Sequence, residues 1–242
     1  MEVIPAVDLK DGRCVRLKQG RMEDETVFSS DPVAMARQWQ DLGAARLHVV
    51  DLDGAVRGRP ANAGVIEAIC SALTIPVQLG GGVRDAAGLA ATLALGVDRV
   101  ILGTLAARQP ELVLAMAREH PGRVVVGIDA REGKVAVAGW TETSATDYLD
   151  LARRFDQPGV AALVFTDIAR DGMHSGVNLD STERLCRAVS RPVIAAGGVH
   201  DLQDIRRLKT LVPLGLAGCI TGRAIYEGSL DLAQALALAA QP

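Results

Sequence analysis

Apolar residues along this chain gather in eight short runs that are rich in β-branched side chains. Within a run they are mostly consecutive, which is typical of strands that are buried on both faces and therefore parallel. The eight predicted strands are VIPAVD (3–8), RLHVVD (46–51), IPVQLG (75–80), RVILG (99–103), RVVVGID (123–129), ALVFTD (162–167), RPVIAAG (191–197) and LAGCITG (216–222).

Helical periodicity fills the intervals between these runs. Strand–helix alternation with about 30 residues per unit indicates βα modules, and eight of them make a closed barrel of roughly 250 residues. The 242 residues therefore predict a single α/β domain, a (β/α)8 TIM barrel over 1–242. The alternative is a doubly wound open sheet, but the GxGxxG expected at its first turn does not occur in the sequence. The clearest predicted helices are 32–42, 63–73, 86–95, 110–119 and 202–211.

The second half of the chain resembles the first. Four motifs recur at nearly constant offsets, between 116 and 121 residues. They predict two repeated half-barrels, approximately 1–121 and 122–242. The alternative is that any βα array looks self-similar, because strands and glycine turns recur for physical reasons. The matched segments are AVDLKDGRCVRL (6–17) with GIDAREGKVAVA (127–138), LHVVD (47–51) with LVFTD (163–167), GGVRD (81–85) with GGVHD (197–201), and VILGT (100–104) with CITGR (219–223).

Composition and charge narrow the possible partners. A formal net charge of −3 gives no polyanion-binding surface, so we expect no nucleic acid partner. The four cysteines are far apart and form no CxxC pair, which argues against a zinc site or a disulfide framework. The acidic N-terminus is unlike a signal peptide, and no apolar run reaches 18 residues. We expect a soluble, cytoplasmic monomer with no membrane association.

The repeated glycine corners predict phosphate binding. Glycine at the carboxyl end of a strand lets the backbone approach a ligand and leaves N–H groups pointing outward, and barrels often bind phosphate after strands 7 and 8. Two copies on opposite sides of the mouth predict a ligand with a phosphate at each end. The alternative is that the glycines only make tight turns. The candidates are Gly81, Gly82, Arg84, Gly103 and Thr104 in the first copy, and Gly197, Gly198, Gly222 and Arg223 in the second.

Two aspartates are candidates for acid–base catalysis. Asp8 ends predicted strand 1 and Asp129 ends predicted strand 5, and these strands lie opposite each other in a ring of eight. Carboxylates on both sides of a substrate can act as general base and general acid. Each could instead cap a helix. Thr166 could bond a reacting hydroxyl, and Asp171 is a third possible acid or simply part of an Asp-Gly turn.

Three further residues are candidate substrate contacts. Asp51 could orient the substrate or cap a loop, and His48 could line the mouth. Trp140, in the loop after strand 5, could stack on a heterocycle or anchor a small core. The other histidines are expected to be solvated or structural, namely His120, His174 and His200.

Several segments, in this order, resemble the phosphoribosylformimino-5-aminoimidazole carboxamide ribotide isomerases of histidine biosynthesis across essentially the whole chain. The segments are IPAVDLKDGRCVRLKQG, LHVVDLDGA, PVQLGGGVR, VAVAGW, TDIARDG and GRAIYEG. The resemblance implies an Amadori aldose-to-ketose rearrangement of a small-molecule substrate with a phosphate at each end, without cofactor or metal. It also implies that Asp8 is the base and Asp129 the proton donor, with Thr166 and Asp171 at the reacting centre.

Three alternatives remain at this stage. The cyclase subunit of imidazole glycerol phosphate synthase has the same repeat, but RLKQG and VAVAGW look like the isomerase. A dual-substrate relative that also isomerises phosphoribosyl anthranilate typically has Arg where this chain has Ala138. A non-catalytic barrel that binds a phosphorylated metabolite would keep the glycine corners without needing both aspartates.

Overall fold

The computed structural model describes residues 1–18, 21–173 and 175–241, with only the backbone at position 18. Within these ranges eight parallel strands pair in chain order, and the last pairs with the first, so the sheet closes into a barrel. The predicted barrel and its eight strands are confirmed. The strands are β1 (Glu2–Lys10), β2 (Leu47–Asp51), β3 (Val77–Gly80), β4 (Arg99–Leu102), β5 (Val124–Arg131), β6 (Val160–Asp167), β7 (Val193–Ala196) and β8 (Leu216–Thr221).

Helices surround the barrel and connect its strands. All five helices predicted from periodicity are present, with ends within two residues of the predicted ones. The helices are α1 (Pro32–Asp41), α2 (Leu52–Arg57), α3 (Ala63–Ala72), α4 (Ala86–Ala94), α5 (Thr104–Arg108), α6 (Pro110–Glu119), α7 (Tyr148–Arg154), α8 (Leu179–Ala188), α9 (Leu202–Lys209), α10 (Arg223–Glu227) and α11 (Leu232–Ala240), with a 3-10 turn at Val212–Leu214.

The hydrophobic core has two parts, one on each side of the barrel wall. The larger part packs the outer faces of the strands against the helices. The smaller part fills the barrel with apolar side chains, so the barrel is a packed core and substrate can enter only at its mouth. The buried interior residues are Ile4, Ala6, Val125, Ala162, Val164, Ile194 and Ile220.

Aspartate caps explain where several helices begin. Asp85 and Asp201, the last residues of the two Gly-Gly-Val-X-Asp motifs, accept backbone N–H bonds at the starts of α4 and α9. Asp31 and Asp147 cap α1 and α7 in the same way, again 116 residues apart. Such caps stabilise a helix by about 1 kcal/mol each. Part of the repeated motif is therefore a helix start.

Two antiparallel additions extend the barrel at its mouth, and neither was predicted from the sequence. β1 continues into a first hairpin, Arg13–Lys18 and Arg21–Ser29. β5 continues into a second hairpin, Lys134–Val137 and Glu142–Asp147. Equivalent additions after strands 1 and 5 agree with two half-barrels, which remain a prediction.

The four cysteines are free thiols; Cys14, Cys186 and Cys219 are buried and Cys70 is partly buried. Among the residues that the structure describes, no helix combines the length and apolar character needed to cross a membrane.

Candidate active site

Asp8 lies near the carboxyl end of β1 and is paired with Arg16 of the first hairpin. The hairpin folds back so that Asp8 is registered opposite Val15, which brings the next residue, Arg16, onto the carboxylate. Arg16 Nη1 donates to Asp8 Oδ2 at 2.7 Å. Burial raises the pKa of Asp8, and the charge of Arg16 opposes that increase. The geometry thus gives Asp8 a cation that favours its ionised form.

Arg16 is held firmly and was missed by the sequence analysis. Its Nη2 donates to Ala6 O at 2.5 Å, and its guanidinium lies 5.0 Å from the centre of the Tyr226 ring. A Cβ at Gly222 would lie 2.4 Å from that guanidinium, so glycine at 222 makes room for it. The sequence did carry an indication, because Arg16 interrupts the apolar alternation of CVRL directly after the Asp8 strand.

Asp129 lies at the equivalent position of β5 in different surroundings. Thr166 is its registered neighbour on β6. Burial raises the pKa of Asp129, while hydrogen bonds from the Trp140 and Thr166 side chains act in the opposite direction. Gly103 borders the carboxylate, since a Cβ there would make an ordinary contact with Asp129 Oδ2 at 3.8 Å. The carboxylate is therefore held by neutral donors.

The predicted repeat allows the surroundings of the two carboxylates to be compared position by position. Arg16 corresponds in the second half to Val137, and Thr166 corresponds in the first half to Val50, if the half-barrels are superposed by the offsets in the sequence. Val50 is the registered neighbour of Asp8 on β2, as Thr166 is of Asp129. The Asp8 end therefore has a cation where the other end has Val137, and the Asp129 end has a hydroxyl where the first has Val50.

Asp171, in the segment after β6, reaches the same centre. Burial raises its pKa to about 6, and the negative charges of Asp8 and Asp129 add to the increase while Arg16 and Arg223 oppose it. These mutual effects place the four predicted catalytic residues at one end of the barrel, together with Arg16. A pKa of about 6 lies closer to neutrality than that of an ordinary aspartate, which suits an acid or a base.

The first glycine of each corner is required because its Cα lies too close to neighbouring backbone for a side chain to fit. This requirement holds whether or not a ligand binds there. Gly81 and Gly197 both have positive φ, and a Cβ would lie 2.3 Å from Asp51 O at the first and 2.9 Å from Asp167 O at the second. The equivalent contacts in the two halves favour a structural role for these two positions.

The second glycine of each corner packs against the loop of the preceding unit. A Cβ at Gly82 would lie 2.9 Å from Arg59 C, and one at Gly198 would lie 2.5 Å from Gly176 O. Close backbone packing alone is therefore a sufficient reason for glycine at all four positions. Phosphate binding there stays a prediction.

The helices after β4 and β8 begin without a side-chain cap. Their N-cap residues are Gly103 and Gly222, and within the described residues no side chain accepts a hydrogen bond from the first turn. Thr104 Oγ1 accepts a bond from Ala138 N at 3.0 Å, so its hydroxyl anchors the second hairpin. These N-termini are where first-turn N–H groups are available to an anion.

The two predicted arginines lie on the rim, and both have protein neighbours. The exposed Arg84 packs its guanidinium over Gly58, where a Cβ would lie 2.0 Å from Cζ. Arg223 bonds Glu227 Oε1 at 3.1 Å and Leu17 O at 3.3 Å.

Asp51 caps a loop, which argues against its predicted role as a substrate contact. It is fully buried, and its two oxygens accept four hydrogen bonds, from Gly54 N, from Ala61 N and from the backbone and side-chain amides of Asn62. These bonds use the acceptor capacity of the carboxylate. Asp51 is the loop cap that the sequence analysis left as its alternative.

The Trp140 backbone has a conformation that L-residues rarely adopt. Ala138, Gly139 and Trp140 have φ of 54°, 65° and 70°, three consecutive left-handed residues at the turn of the second hairpin. Left-handed non-glycine residues cost of order 1 kcal/mol each and are concentrated at functional sites. The turn directs the Trp140 side chain toward Asp129.

His48 lies buried inside the barrel and contacts Gln78. His200 contacts Ser229, and His174 lies outside the described residues. In the part of the chain that is described, no three His, Cys, Asp or Glu residues are grouped so that they could hold a metal ion.

Comparison with known proteins finds relatives over nearly the whole chain. A family model described as histidine biosynthesis protein matches residues 2–231. A protein of Geobacter sulfurreducens is 56% identical over 98% of both chains, one of Cellvibrio japonicus is 54% identical over 98% of both, and one of Thioalkalivibrio sulfidiphilus is 54% identical over 100% of both. All three are named 1-(5-phosphoribosyl)-5-((5-phosphoribosylamino)methylideneamino)imidazole-4-carboxamide isomerase.

Proposed function

This chain belongs to the histidine biosynthesis protein family, and from that premise we propose that it is the isomerase for which its relatives are named. The reaction is an intramolecular aldose-to-ketose rearrangement of a substrate with a phosphoribosyl group at each end. The observation that carries the proposal is the pair of aspartates at the mouth, on opposed strands, with one beside a cation and the other beside neutral donors.

We assign the base to Asp8. A general base must be ionised when substrate binds, and the Arg16 guanidinium at 2.7 Å favours that state. Arg16 is itself fixed by Ala6 and Tyr226, so the pair keeps its geometry as the proton is transferred.

We assign the acid to Asp129. Its pKa is raised by burial, and its hydrogen-bond partners are neutral, so its protonated form persists to higher pH than that of an exposed aspartate. Asp171 is the alternative acid, since its pKa of about 6 also leaves it partly protonated near neutrality.

The rearrangement then proceeds in balanced proton transfers. The acid protonates the ring oxygen of the aminoaldose, the bond from that oxygen to C1′ breaks, and the nitrogen lone pair forms the C1′=N bond of a protonated Schiff base. Asp8 removes the proton on C2′, whose electrons form the C1′=C2′ bond of an enolamine and neutralise the nitrogen. C1′ then takes up a proton and the C2′ hydroxyl loses one, which gives the ketose.

The two glycine corners are proposed to hold the phosphates. The uncapped N-termini at Gly103 and Gly222 lie after β4 and β8, on opposite sides of the mouth. Anchoring both ends of the substrate keeps the reacting carbon between the carboxylates, and orientation of this kind can lower a barrier by several kcal/mol. Arg84 and Arg223 lie on the rim beside these corners.

The test is turnover of the two-phosphate aminoaldose by the purified protein and by its Asp8→Asn and Asp129→Asn variants. We expect each variant to lose about 10²- to 10⁴-fold in kcat with little change in KM, because the phosphates provide most of the binding. Asp11→Asn is the matched control, since Asp11 follows β1 at the exposed turn of the hairpin and no role is assigned to its side chain. Unchanged kcat in Asp8→Asn would remove it as the base, and an inactive parent that binds substrate would indicate a binding protein.

A further inference from the structure

A polar pair is buried inside the barrel below the mouth. His48 on β2 and Gln78 on β3 are registered neighbours, and Gln78 Nε2 lies 3.2 Å from His48 Nδ1. Gln78 has no exposed surface. Within the described residues its Oε1 has no hydrogen-bond partner. A buried acceptor left in this state carries a free-energy cost.

The fold itself does not require this pair. In the second half, 116 residues later, Val164 and Ile194 stand at the equivalent positions and pack in the apolar interior. At this pair of positions one half of the barrel thus has two aliphatic side chains, and the other has an imidazole and an amide. A polar pair that is costly to bury and replaceable by Val and Ile calls for a functional reason.

The hydrogen bond determines which nitrogen of His48 carries the proton. In the structure the nitrogen of the Gln78 amide faces His48 Nδ1, and an amide NH2 group can only donate. Nδ1 is therefore the acceptor, and in a neutral ring Nε2 carries the hydrogen. Burial and the charge of Arg16 lower the pKa of His48 to about 3, so the ring is neutral.

His48 is well placed to contact substrate. Ala6 is its registered neighbour on β1, two residues before Asp8, so His48 lies one layer below the proposed base. Its small exposed fraction, 9%, can lie only toward the mouth, because the barrel is filled by apolar side chains beneath.

We propose that Gln78 is a positioning residue that holds His48 as the neutral Nε2–H tautomer, so that His48 donates a hydrogen bond to a hydroxyl or carbonyl oxygen of the substrate beside Asp8. This inference rests on the proposed isomerase function. A neutral N–H donor suits an oxygen that gains negative charge as the C2′ hydroxyl becomes a ketone.

The first experiment removes the amide. Gln78→Leu and Gln78→Met should lower kcat/KM for the two-phosphate aminoaldose by about tenfold or more, the effect of losing one well-aimed hydrogen bond. Both should keep or raise Tm, because the unmatched oxygen is gone. Ile194→Leu is the matched control at the equivalent position and should keep the parent's kcat/KM. Parent-like kcat/KM in both Gln78 variants would overturn the proposal.

The second experiment observes the tautomer directly by ¹⁵N NMR of the imidazole, with His48→Asn used to assign the signals. The parent should show an acceptor-type Nδ1 and a protonated Nε2. Gln78→Glu should reverse this pattern, because a carboxylate can only accept from Nδ1–H, and should lose activity although a bond is kept. A protonated Nδ1 in the parent would refute the positioning role. An inactive parent with the expected tautomer would instead reject the isomerase function and leave only the Gln78–His48 contact.

Discussion

At the residue scale, the site is defined by which groups lie next to each carboxylate. Arg16 lies 2.7 Å from Asp8, and Val137 stands at the equivalent position of the other half. The negative charges of Asp8 and Asp129 both raise the pKa of Asp171. Replacing a neighbouring residue should therefore change the pKa of a carboxylate more than it changes where that carboxylate lies.

Arg16→Gln tests this for the base. Removing the cation removes the effect that lowers the pKa of Asp8, so Asp8 should stay protonated to higher pH. The acid limb of the kcat/KM profile should move to higher pH, with activity partly recovered at alkaline pH. Loss of activity by the same factor at every pH would mean that Arg16 acts only by binding substrate.

Asp171→Asn tests the cost of keeping a carboxylate in the site. The folded-state pKa of about 6 exceeds the ordinary 3.8, so the folded protein binds more protons than the unfolded chain between these values, and stability falls as pH rises through that window. The variant should therefore be more stable than the parent at pH 7.5, by about 1–2 kcal/mol after allowance for the partial solvent contact of Asp171. The gain should nearly vanish at pH 4. Urea unfolding at the two pH values measures it, and an equal effect at both would contradict the burial argument.

At the element scale, the glycine corners join strand ends to the loops that pass beside them. Gly198 has φ of 86° and would place a Cβ 2.5 Å from Gly176 O, whereas Gly122 has φ of 78° and nothing within 4 Å of its Cβ position. Both residues have a left-handed backbone conformation, but only at Gly198 would an added Cβ collide with neighbouring backbone. The corner is therefore fixed by packing before any ligand arrives.

Gly198→Ala and Gly122→Ala separate these two effects. Gly122→Ala should cost about 1 kcal/mol, the usual penalty of a left-handed alanine. Gly198→Ala should cost about 2 kcal/mol more, because backbone must also move, and its Tm should fall by several degrees further. Thermal unfolding measures both. Equal losses would show that the loop after β6 yields easily, and would leave Gly198 to be explained by ligand approach alone.

At the scale of the whole molecule, a barrel with equivalent corners on opposite sides favours a substrate with two anionic ends. Phosphoribosyl anthranilate has one phosphate and a carboxylate, and position 138, where the family resemblance implies that dual-substrate members typically have arginine, is alanine here. We expect kcat/KM for the two-phosphate aminoaldose to exceed that for the anthranilate by at least about a hundredfold, given the energy of charge-assisted anion contacts. Both constants are measured on one preparation. Comparable values would identify a dual-substrate enzyme.

The sequence by itself determined the barrel fold and the pairing of Asp8 with Asp129 across the barrel mouth. Consecutive apolar residues record burial on both strand faces and predicted the eight strands, and helical periodicity predicted five helices with ends within two residues. Once the strands are counted, closure places the ends of strands 1 and 5 opposite each other, so Asp8 and Asp129 could be paired without coordinates. The glycine corners were found because left-handed backbone and close contact both demand glycine locally.

Only the tertiary structure decided which side chains meet. Arg16 reaches Asp8 through a hairpin whose register the sequence pattern did not reveal, and Gln78 meets His48 across two strands 30 residues apart. Asp51 has the sequence context of a site residue, yet Asn62 and the loop amides turn it into a cap. The physical reason is that periodicity reports the burial of each element separately, whereas hydrogen bonds and charge pairs depend on register and on loops that return to the barrel.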